Sequence, residues 1–397
     1  MKLKTLQLTA LFVVFISINS LKAQSDTINV VTSAVPFLRI SPDARAGGMG
    51  DLGVATSPDA NSSFWNLAKT PFALNKYGVG LTYTPWLKDL GLNDVYLLSM
   101  AGYYQLNELQ AFSASIRYFS LGNIQFTDGA GNDFGEGRPR ELGVDVGYSR
   151  KLSDQLGIGI ALRYINSNLV GNLADQNTTY QAGNAVAGDI SLYYTGLNEN
   201  GQGWNFGLAL TNLGSKIGYT KDATQKDYIP ANFALGASYT KVFDENNKIS
   251  LGLDINKLMV PTPPKYIDDS NPDSDSLNEI INTNYRSMGV VKSWVTSFSD
   301  APGGFSEEMR EFQFSIGAEY SYNDQFFART GYFYEDKTKG NRKYFTVGLG
   351  IKYNVFGLNF SYLVPSGGGI SRNPLSNTIR FGLVLDLNDD GGSTTEE

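Results

Sequence analysis

Four segments in the second half of the chain alternate strictly between large apolar residues and small or polar residues. The clearest runs from Phe356 to Val364, where Phe, Leu, Tyr and Val side chains alternate with Gly, Asn and Ser. Residues 345–353, 312–320 and 249–256 repeat the pattern. Successive side chains of a β-strand point to opposite faces, so each segment has one apolar face and one small or polar face.

The same alternation predicts about fourteen strands, most of them near the ~10 residues that a tilted membrane-spanning strand needs. The second strand is the weakest prediction, because both of its faces are apolar. The predicted strands comprise residues 77–84, 95–104, 110–121, 140–150, 155–167, 184–195, 203–213, 231–243, 248–257, 310–322, 325–334, 343–353, 356–365 and 378–387.

The connections between these strands alternate in length. Those after odd-numbered strands are long, whereas Asn323-Asp324 and Asn354-Val355 show how short the others become. Long loops at one end and tight turns at the other are typical of bacterial outer-membrane barrels. Aromatic residues near the strand ends indicate interfacial girdles. These residues are Tyr83, Trp86, Tyr103, Tyr148, Tyr164, Tyr239, Tyr320 and Tyr353.

A soluble β-sandwich is the alternative fold, and its outward face would be rich in Lys and Glu. Here the face opposite the apolar one is largely Gly, Ser, Thr and Asn, which favours the lumen of a membrane barrel. We therefore predict an all-β, transmembrane outer-membrane β-barrel of about 14 antiparallel strands over residues 77–387. Residues 388–397 form a polar tail.

The first 23 residues have the pattern of a secretory signal peptide. Lys2 and Lys4 precede a short apolar run, and Ala23 is the small residue expected before a cleavage site. The run is shorter than the ~20 apolar residues of a membrane-spanning helix. We therefore predict cleavage near Ala23, export, and a mature chain in the outer membrane of a Gram-negative cell. Residues 24–76 then precede the first strand and are too long for a simple tail.

Composition excludes several classes of function. The 397 residues include 32 Lys and Arg against 39 Asp and Glu, a net charge of −7, with no Cys and no His. Disulfides, thiolate nucleophiles and Ser-His-Asp triads are therefore excluded. An acidic chain also binds nucleic-acid phosphates poorly, so we predict no nucleic-acid partner.

Two kinds of motif raise the question of a bound ligand. Gly48 to Gly53 matches GxGxxG, but the flanking strand and crossover helix of a dinucleotide site are missing, so tight turns in a confined space are favoured. The acidic segments 128–136 and 268–275 lack EF-hand spacing, and solvated loops are favoured over Ca²⁺ sites. We predict no metal and no cofactor.

Charged residues also fall on the face predicted to line the lumen. They could form a catalytic or proton-relay set, but solvating a pore or anchoring a plug is the favoured interpretation. These residues are Asp145, Arg163, Asp189, Asp254, Glu319, Arg329 and Arg380.

The loop 258–309 is too long to lack structure of its own. After a Pro- and Asp-rich start, apolar residues recur at helical spacing from Leu277 to Phe298, with Ser276 and Glu279 as a plausible capping box. Loops 122–139 and 168–183 are second choices for partner contact. The first choice is an apolar ridge of the helical loop, made of Tyr285, Met288, Val291, Trp294, Val295 and Phe298.

Residues 37–72, FLRISPDARAGGMGDLGVATSPDANSSFWNLAKTPF, closely resemble the N-terminal signature of the PorV family. These proteins are outer-membrane components of the Bacteroidetes type IX secretion system and belong to the wider FadL-like barrel group. The segment FSDAPGGFSEE, residues 298–308, extends the resemblance. Two features depart from the pattern: Leu67 stands where FadL-like barrels commonly have Pro, and the last strand is followed by a polar tail instead of a terminal aromatic residue.

The resemblance implies a fourteen-stranded barrel whose N-terminal segment folds into the lumen as a plug. PorV-like proteins are not thought to be the translocation pore. The resemblance implies partners instead: the giant translocon barrel, the C-terminal domains of secreted cargo, the PorU sortase attachment complex, and membrane lipid or lipopolysaccharide. The candidate plug residues are Pro42, Asp43, Arg45, Gly47, Gly48 and Gly50.

We therefore expect a non-catalytic barrel that binds secreted cargo and hands it over. The first alternative is a FadL-type transporter of hydrophobic small molecules, which predicts an apolar pocket between plug and wall and a lateral opening. The second is an outer-membrane hydrolase, which without His would need Lys or a carboxylate as its base.

Overall fold

The barrel consists of fourteen antiparallel strands, each paired with its neighbours in sequence, and β1 pairs with β14 to close the sheet. The computed structural model describes residues 28–127, 131, 133–169, 180–221, 226–267, 273–364, 375 and 377–388. The strands are β1 (Tyr77–Pro85), β2 (Val95–Asn107), β3 (Gln110–Leu121), β4 (Arg140–Lys151), β5 (Leu156–Asn168), β6 (Gly183–Leu197), β7 (Gly203–Gly214), β8 (Asn232–Val242), β9 (Asn247–Leu258), β10 (Gln313–Tyr322), β11 (Phe326–Tyr334), β12 (Lys343–Tyr353), β13 (Phe356–Val364) and β14 (Ile379–Leu387).

All fourteen predicted strands are confirmed, and their ends agree with the prediction to within three residues. The largest differences are at the end of β2, which continues to Asn107, and at the start of β10, where a 3₁₀ turn occupies Met309–Glu311. Two short ribbons in the long connections were not predicted. They pair Ile124–Thr127 with Asp133–Gly137, and Ile217–Gly218 with Lys226–Asp227.

In the part of the chain that the structure describes, five α-helices lie outside the barrel wall, two before it and three in the connection between β9 and β10, and 3₁₀ helices occupy Pro36–Arg39, Leu67–Phe72 and Lys88–Leu90. The α-helices are α1 (Ala44–Gly47), α2 (Ser62–Trp65), α3 (Ser274–Ser287), α4 (Val290–Thr296) and α5 (Phe305–Glu308). Among the described residues, none of the helices is long and apolar enough to cross a membrane. The predicted signal peptide lies outside the described residues.

The outward face of the wall is apolar, as the alternation predicts. On β12, the outward side chains of Val347, Leu349 and Ile351 are all exposed. Aromatic pairs lie near both ends of the strands: the rings of Tyr77 and Tyr104 are 5.1 Å apart at the end with tight turns. Such a face is suited to lipid, with aromatic residues at the two interfaces. We assign the turn end to the periplasm and the long-loop end to the cell exterior.

Two predicted girdle residues are not part of a girdle. The side chain of Tyr103 is buried and its hydroxyl donates to the carbonyl of Asn75, so it points into the barrel. Trp86 packs against an internal apolar cluster. Proximity to a strand end did not reveal on which face of the strand each ring lies.

The lumen is also less polar than predicted near the cell exterior. There the inward side chains of Val95 and Leu97 on β2 pack against Val35, Phe37 and Leu38 from the chain before the barrel. This contact explains why β2 is apolar on both faces: one face meets lipid and the other meets the segment inside the barrel.

If the outward face of the wall contacts lipid, the stability cost of placing a charge on it should depend strongly on the depth of the position in the membrane. Leu349 is 62% exposed near the middle of β12, so replacing it with Arg should destabilise the barrel in lipid vesicles by about 2–4 kcal/mol. Tyr353→Arg, at the end of the same strand, should cost only about 0–1 kcal/mol. Urea titration in vesicles measures both values, and equal costs at the two positions would contradict the assignment.

Candidate functional site

The chain before the barrel crosses the lumen from one end to the other. Near its start, the backbone N–H of Asn29 donates to the carbonyl of Thr338 in the β11–β12 loop, at 3.1 Å. Near its end, the N–H of Lys76 donates to the Asn388 side chain beside the last strand, at 3.0 Å. We call residues 28–76 the lumenal segment. Most of its residues are buried, so it fills the interior that the wall encloses.

A network of ion pairs joins the lumenal segment to the wall. The Arg45 guanidinium donates to both carboxylate oxygens of Glu319 on β10, at 2.8 and 3.0 Å. Arg329 on β11 holds the same carboxylate at 2.6 Å. Arg45 also pairs with Asp59 at 3.0 Å, which ties two parts of the segment together. Glu319 thus serves two arginines, and Asp59 supplies the second negative charge, so each cation has a carboxylate partner in the interior.

Two further carboxylates connect segment and wall. Asp51 accepts from Arg380 on β14 at 2.7 Å and from the Tyr344 hydroxyl on β12 at 2.6 Å. From the wall side, Asp254 on β9 accepts the backbone N–H groups of residues 53 and 54, at 2.7 and 2.9 Å. Of the charges predicted to line the lumen, Asp254, Glu319 and Arg380 contact the lumenal segment, and Arg329 shares the Glu319 carboxylate. The other three, Asp145, Arg163 and Asp189, pair with one another in the wall.

Glycines allow the backbone of the lumenal segment to lie directly on the backbone of the wall. Gly50 has φ = +72°, and a Cβ there would lie 2.7 Å from the backbone nitrogen of Tyr332. On the wall, a Cβ at Gly331 would lie 2.1 Å from the carbonyl carbon of Met49. The glycines of the GxGxxG run therefore allow a tight turn against the wall. This agrees with the prediction of tight turns, which rests on the absence of a flanking strand and crossover helix from the sequence pattern.

The other candidate plug residues lie in the same region. Pro42 is buried, and the Asp43 carboxylate accepts from the Arg45 N–H at 2.8 Å and from the Trp65 indole at 3.1 Å. Asp43 therefore caps α1 and contacts α2, whereas its neighbour Arg45 reaches the wall. Gly47 and Gly48 approach Arg380 and Gly348 closely.

Sequence reasoning missed Lys69, which is fully buried. Its ammonium donates to the carbonyl of Gly53 at 2.7 Å and to the Thr56 hydroxyl at 3.1 Å, so it joins the end of the lumenal segment to its middle. A lysine in a WNLAK run has no alternating pattern around it that marks burial. Only the fold brings residues 53 and 69 together.

The long connection between β9 and β10 forms a helical platform, which we define as residues 259–267 and 273–312. At its base, Lys257 of β9 pairs with Glu308 at 2.7 Å and Glu311 at 2.6 Å. Lys339 from the next loop pairs with Glu307 at 2.7 Å and with Glu311 at 2.9 Å. Both ammonium groups are buried, so these bridges fix the platform to the mouth of the barrel.

The same base contains a third carboxylate. Asp300 accepts from the Thr262 hydroxyl at 3.1 Å, and burial raises its pKa to about 6. Its oxygens lie within 4.8 Å of those of Glu308 and Glu311, a spacing that could hold a metal ion. The two lysines already balance the charge of these glutamates, and this arrangement favours a structural cluster over a metal site.

Contacts from the β7–β8 loop hold the junction of α3 and α4. The Tyr228 hydroxyl lies 3.0 Å from the carbonyl of Tyr285 and 2.9 Å from that of Met288. Lys216 donates to the Met288 carbonyl at 2.7 Å. These contacts coincide with the break between α3 and α4, where the sequence suggested continuous helical spacing. The capping box is wrong: Ser276 lies inside α3, which begins at Ser274.

The candidate partner-binding residues divide into two groups. Tyr285 and Met288 lie at the clamped junction, and Trp294 is half-buried. Val291 and Val295 point to solvent, with 64% and 72% of their surface exposed. The structure adds Phe305 and Met309 to the apolar surface of the platform, and it leaves Phe298 partly exposed with its ring 5.8 Å from that of Phe233. We define the platform ridge as Val291, Val295, Phe298, Phe305 and Met309.

The second-choice loops are only partly described. The β3–β4 loop carries the ribbon of Ile124–Thr127 and Asp133–Gly137, and most of the β5–β6 loop lies outside the described residues. Parts of the two acidic segments considered for Ca²⁺ also lie outside them.

Comparison with solved structures identifies the class of fold. The toluene transporter TbuX of Ralstonia pickettii is 14% identical, with a TM-score of 0.50, and the match covers 88% of this chain and 98% of that one. The toluene transporter TodX of Pseudomonas putida is 12% identical, with a TM-score of 0.46 and coverage of 86% and 99%. A FadL homologue of Pseudomonas aeruginosa is 9% identical, with a TM-score of 0.44 and coverage of 91% and 100%. The closed fourteen-stranded sheet and the match to TbuX show that the chain has the fold of a transmembrane β-barrel of the FadL-like class.

The family is more specific than the fold. Residues 22–265 match the family of the type IX secretion system protein PorV. The chain therefore belongs to the PorV family, and it is an outer-membrane component of type IX secretion. A search of curated proteins gave no match.

Glu319 is the residue on which the charge network depends most. Glu319→Gln would leave Arg45 without its wall carboxylate and Arg329 without its only anionic contact in the network. We expect a loss of about 3–5 kcal/mol of stability and the appearance of ion conductance in planar bilayers. Ala in place of Lys248, whose exposed bridge to Asp324 lies at a periplasmic turn, should cost at most about 1 kcal/mol. Unchanged stability and conductance in Glu319→Gln would contradict the anchoring role.

Alanine substitutions at Gly50 and Gly91 distinguish the cost of backbone strain from the cost of a steric clash. Both glycines have positive φ, but a Cβ at Gly91 would meet no atom within 4 Å. Gly91→Ala should therefore cost about 1–2 kcal/mol through φ alone. Gly50→Ala should cost about 1–3 kcal/mol more, because the wall backbone is already in contact. Urea midpoints measure the difference, and equal costs would show that the lumenal segment does not press on the wall.

Proposed function

We propose that this chain collects secreted cargo at the giant translocon barrel and hands it to the surface attachment complex that contains the PorU sortase. In this proposal it recognises the C-terminal domains of cargo and makes or breaks no bonds. It lies in the outer membrane, beside lipid and lipopolysaccharide, after signal-peptide cleavage near Ala23. Membership of the PorV family supports the type IX context of this role.

The platform ridge is the observation that carries the proposal. Five apolar side chains are exposed on a structure whose base is fixed by four buried or partly buried ion pairs. An exposed apolar patch on a rigid support is typical of a protein–protein contact, because little conformational entropy is lost when a partner covers it. The ridge lies at the end of the barrel that we assign to the cell exterior.

The filled lumen supports a role as a carrier instead of a pore. The described part of the lumenal segment runs from mouth to mouth and contacts the wall through Arg45, Asp51 and the Gly50 turn. A translocating polypeptide would have to displace these contacts. We infer that cargo binds on the extracellular surface and does not pass through this barrel.

A pull-down from native membranes tests the proposal. The wild-type protein should bring down the translocon barrel, cargo C-terminal domains and the sortase complex. Val295→Glu should reduce this capture by at least ten-fold, because a charge would be buried at the centre of the contact. Leu90→Glu is the matched control, since Leu90 is 61% exposed on a different extracellular loop. Equal capture by both variants would remove the ridge from the proposal.

Two further outcomes test the wider assignment. Deletion of residues 276–298 should spare membrane insertion and abolish capture. If the wild-type protein brings down none of the proposed partners, the shuttle assignment fails even though the barrel and its family stand.

The alternative is a transporter of hydrophobic small molecules, the activity named for TbuX. It predicts an apolar pocket between the lumenal segment and the wall. Among the described residues, the cavity in that position is small, about 90 Å³, and is lined by four arginines. Such a lining favours polar contents. Saturable uptake of a labelled fatty acid by the purified barrel would support the alternative.

A further inference from the structure

The polar cavity in the lumen has an unusual lining. It lies between the lumenal segment and the wall, and about 90 Å³ leaves room for several water molecules. One carboxylate, that of Asp51, lines it and is already held by Arg380 and Tyr344. Its cationic lining residues are Arg39, Arg117, Arg163 and Arg342.

Two of the arginines share carboxylates in the wall. Arg117 and Arg163 both donate to Asp145, and Arg163 also pairs with Asp189 at 2.8 Å. The Asp189 carboxylate also accepts a hydrogen bond from the backbone N–H of Asn212. These two cations are balanced by two anions.

The other two arginines share only one anion. Arg342 donates to both oxygens of Glu335, at 2.8 Å each, and that carboxylate also accepts from the Gln313 amide. Arg39 donates to the neutral side-chain oxygen of Gln313. Within the described part of the chain, Arg39 has no carboxylate at salt-bridge distance. Arg39 is therefore the one cationic residue of this lining without a carboxylate at salt-bridge distance among the described residues.

Unused polar groups also line this cavity. The Arg117 side chain is 2% exposed, and its Nε has no hydrogen-bond partner. Asn232, a second lining residue, leaves its Oδ1 without a donor. Buried polar groups are nearly always paired. The Nε–H of Arg117 therefore indicates an acceptor in the cavity, whereas the Asn232 oxygen requires a donor such as a water molecule.

We propose that this cavity binds one small tetrahedral oxyanion of the phosphate or sulfate type. A guanidinium presents N–H groups in a planar fork that matches an oxyanion, and Arg39, which has no carboxylate partner at salt-bridge distance in the described residues, supplies the electrostatic attraction. The unused Nε–H of Arg117 supplies a second donor. The role is separate from cargo binding and does not depend on it.

A second cavity lies toward the cell exterior, and in this proposal the ion enters through it. Its volume is about 310 Å³, and it shares Arg39, Gln313 and Arg342 with the inner cavity. Residues 30–33 of the lumenal segment and Lys339 of the β11–β12 loop also line it, which places it at the extracellular mouth. The hydrogen-bonded trio of Arg39, Gln313 and Glu335 thus separates an outer vestibule from the inner site. A free ion in solution fits this route better than a lipid headgroup.

The test is titration of the purified full-length barrel in detergent with sodium phosphate and sodium sulfate, against sodium chloride at equal ionic strength. We expect a saturable rise in the thermal unfolding midpoint with either oxyanion, and calorimetry should give one ion per barrel. Arg39→Gln should weaken this binding at least ten-fold. Arg150→Gln, the same change at an exposed periplasmic position, should leave it unchanged.

Several results would overturn the proposal. They are a response no larger than that to chloride, equal binding by the Arg39 and Arg150 variants, or binding of glycerol phosphate without binding of inorganic phosphate. If Arg39→Gln does not fold, crystals of the wild-type protein grown with selenate decide the question. An anomalous peak between Arg39 and Arg117 is expected, and its absence from an otherwise ordered lumen would refute the site.

Discussion

The structure depends on one constraint: a membrane-embedded sheet must leave no backbone group unpaired, so it has to close on itself. Fourteen strands meet this requirement, and β1 pairs with β14 across the last seam. Closure creates an interior that must also be filled. The lumenal segment fills this interior. Its glycines allow close contact with the backbone of the wall, and its Arg45 pairs with a buried carboxylate of the wall.

The two halves of the interior are held by different forces. Toward the cell exterior, Phe37 and Leu38 pack on apolar wall residues, whereas deeper in the barrel Arg45 and Asp51 are held by charge. Apolar burial tolerates small shifts, but a buried ion pair is costly to break because each partner would be left unsolvated. The deep contacts therefore fix the segment, whereas the helical platform at the mouth is held by the ion pairs of Lys257 and Lys339.

The sequence predicted the strands of the wall well, because the alternation of apolar and polar side chains along a strand can be recognised from neighbouring residues alone. The resemblance implied only that the N-terminal segment folds into the lumen, and residue type left the lumenal charges, such as Glu319 and Arg380, either to solvate a pore or to anchor a plug. Contacts between distant residues were not predictable: Tyr103 turns inward, and Lys216 and Tyr228 interrupt the helical spacing near Met288. The half-buried position of Trp294 beside exposed Val295 likewise depends on where the platform lies on the barrel.

In the proposed function, the extracellular platform binds the partners, and cargo does not pass through the barrel. The most direct test is site-specific photo-crosslinking in living cells, with a photoreactive residue at position 295 and the same residue at position 90 as reference. The account predicts crosslinks from position 295 to the translocon barrel or to cargo C-terminal domains, and few or none from position 90. Crosslinks from position 295 to lipid alone, with partner crosslinks elsewhere, would contradict it.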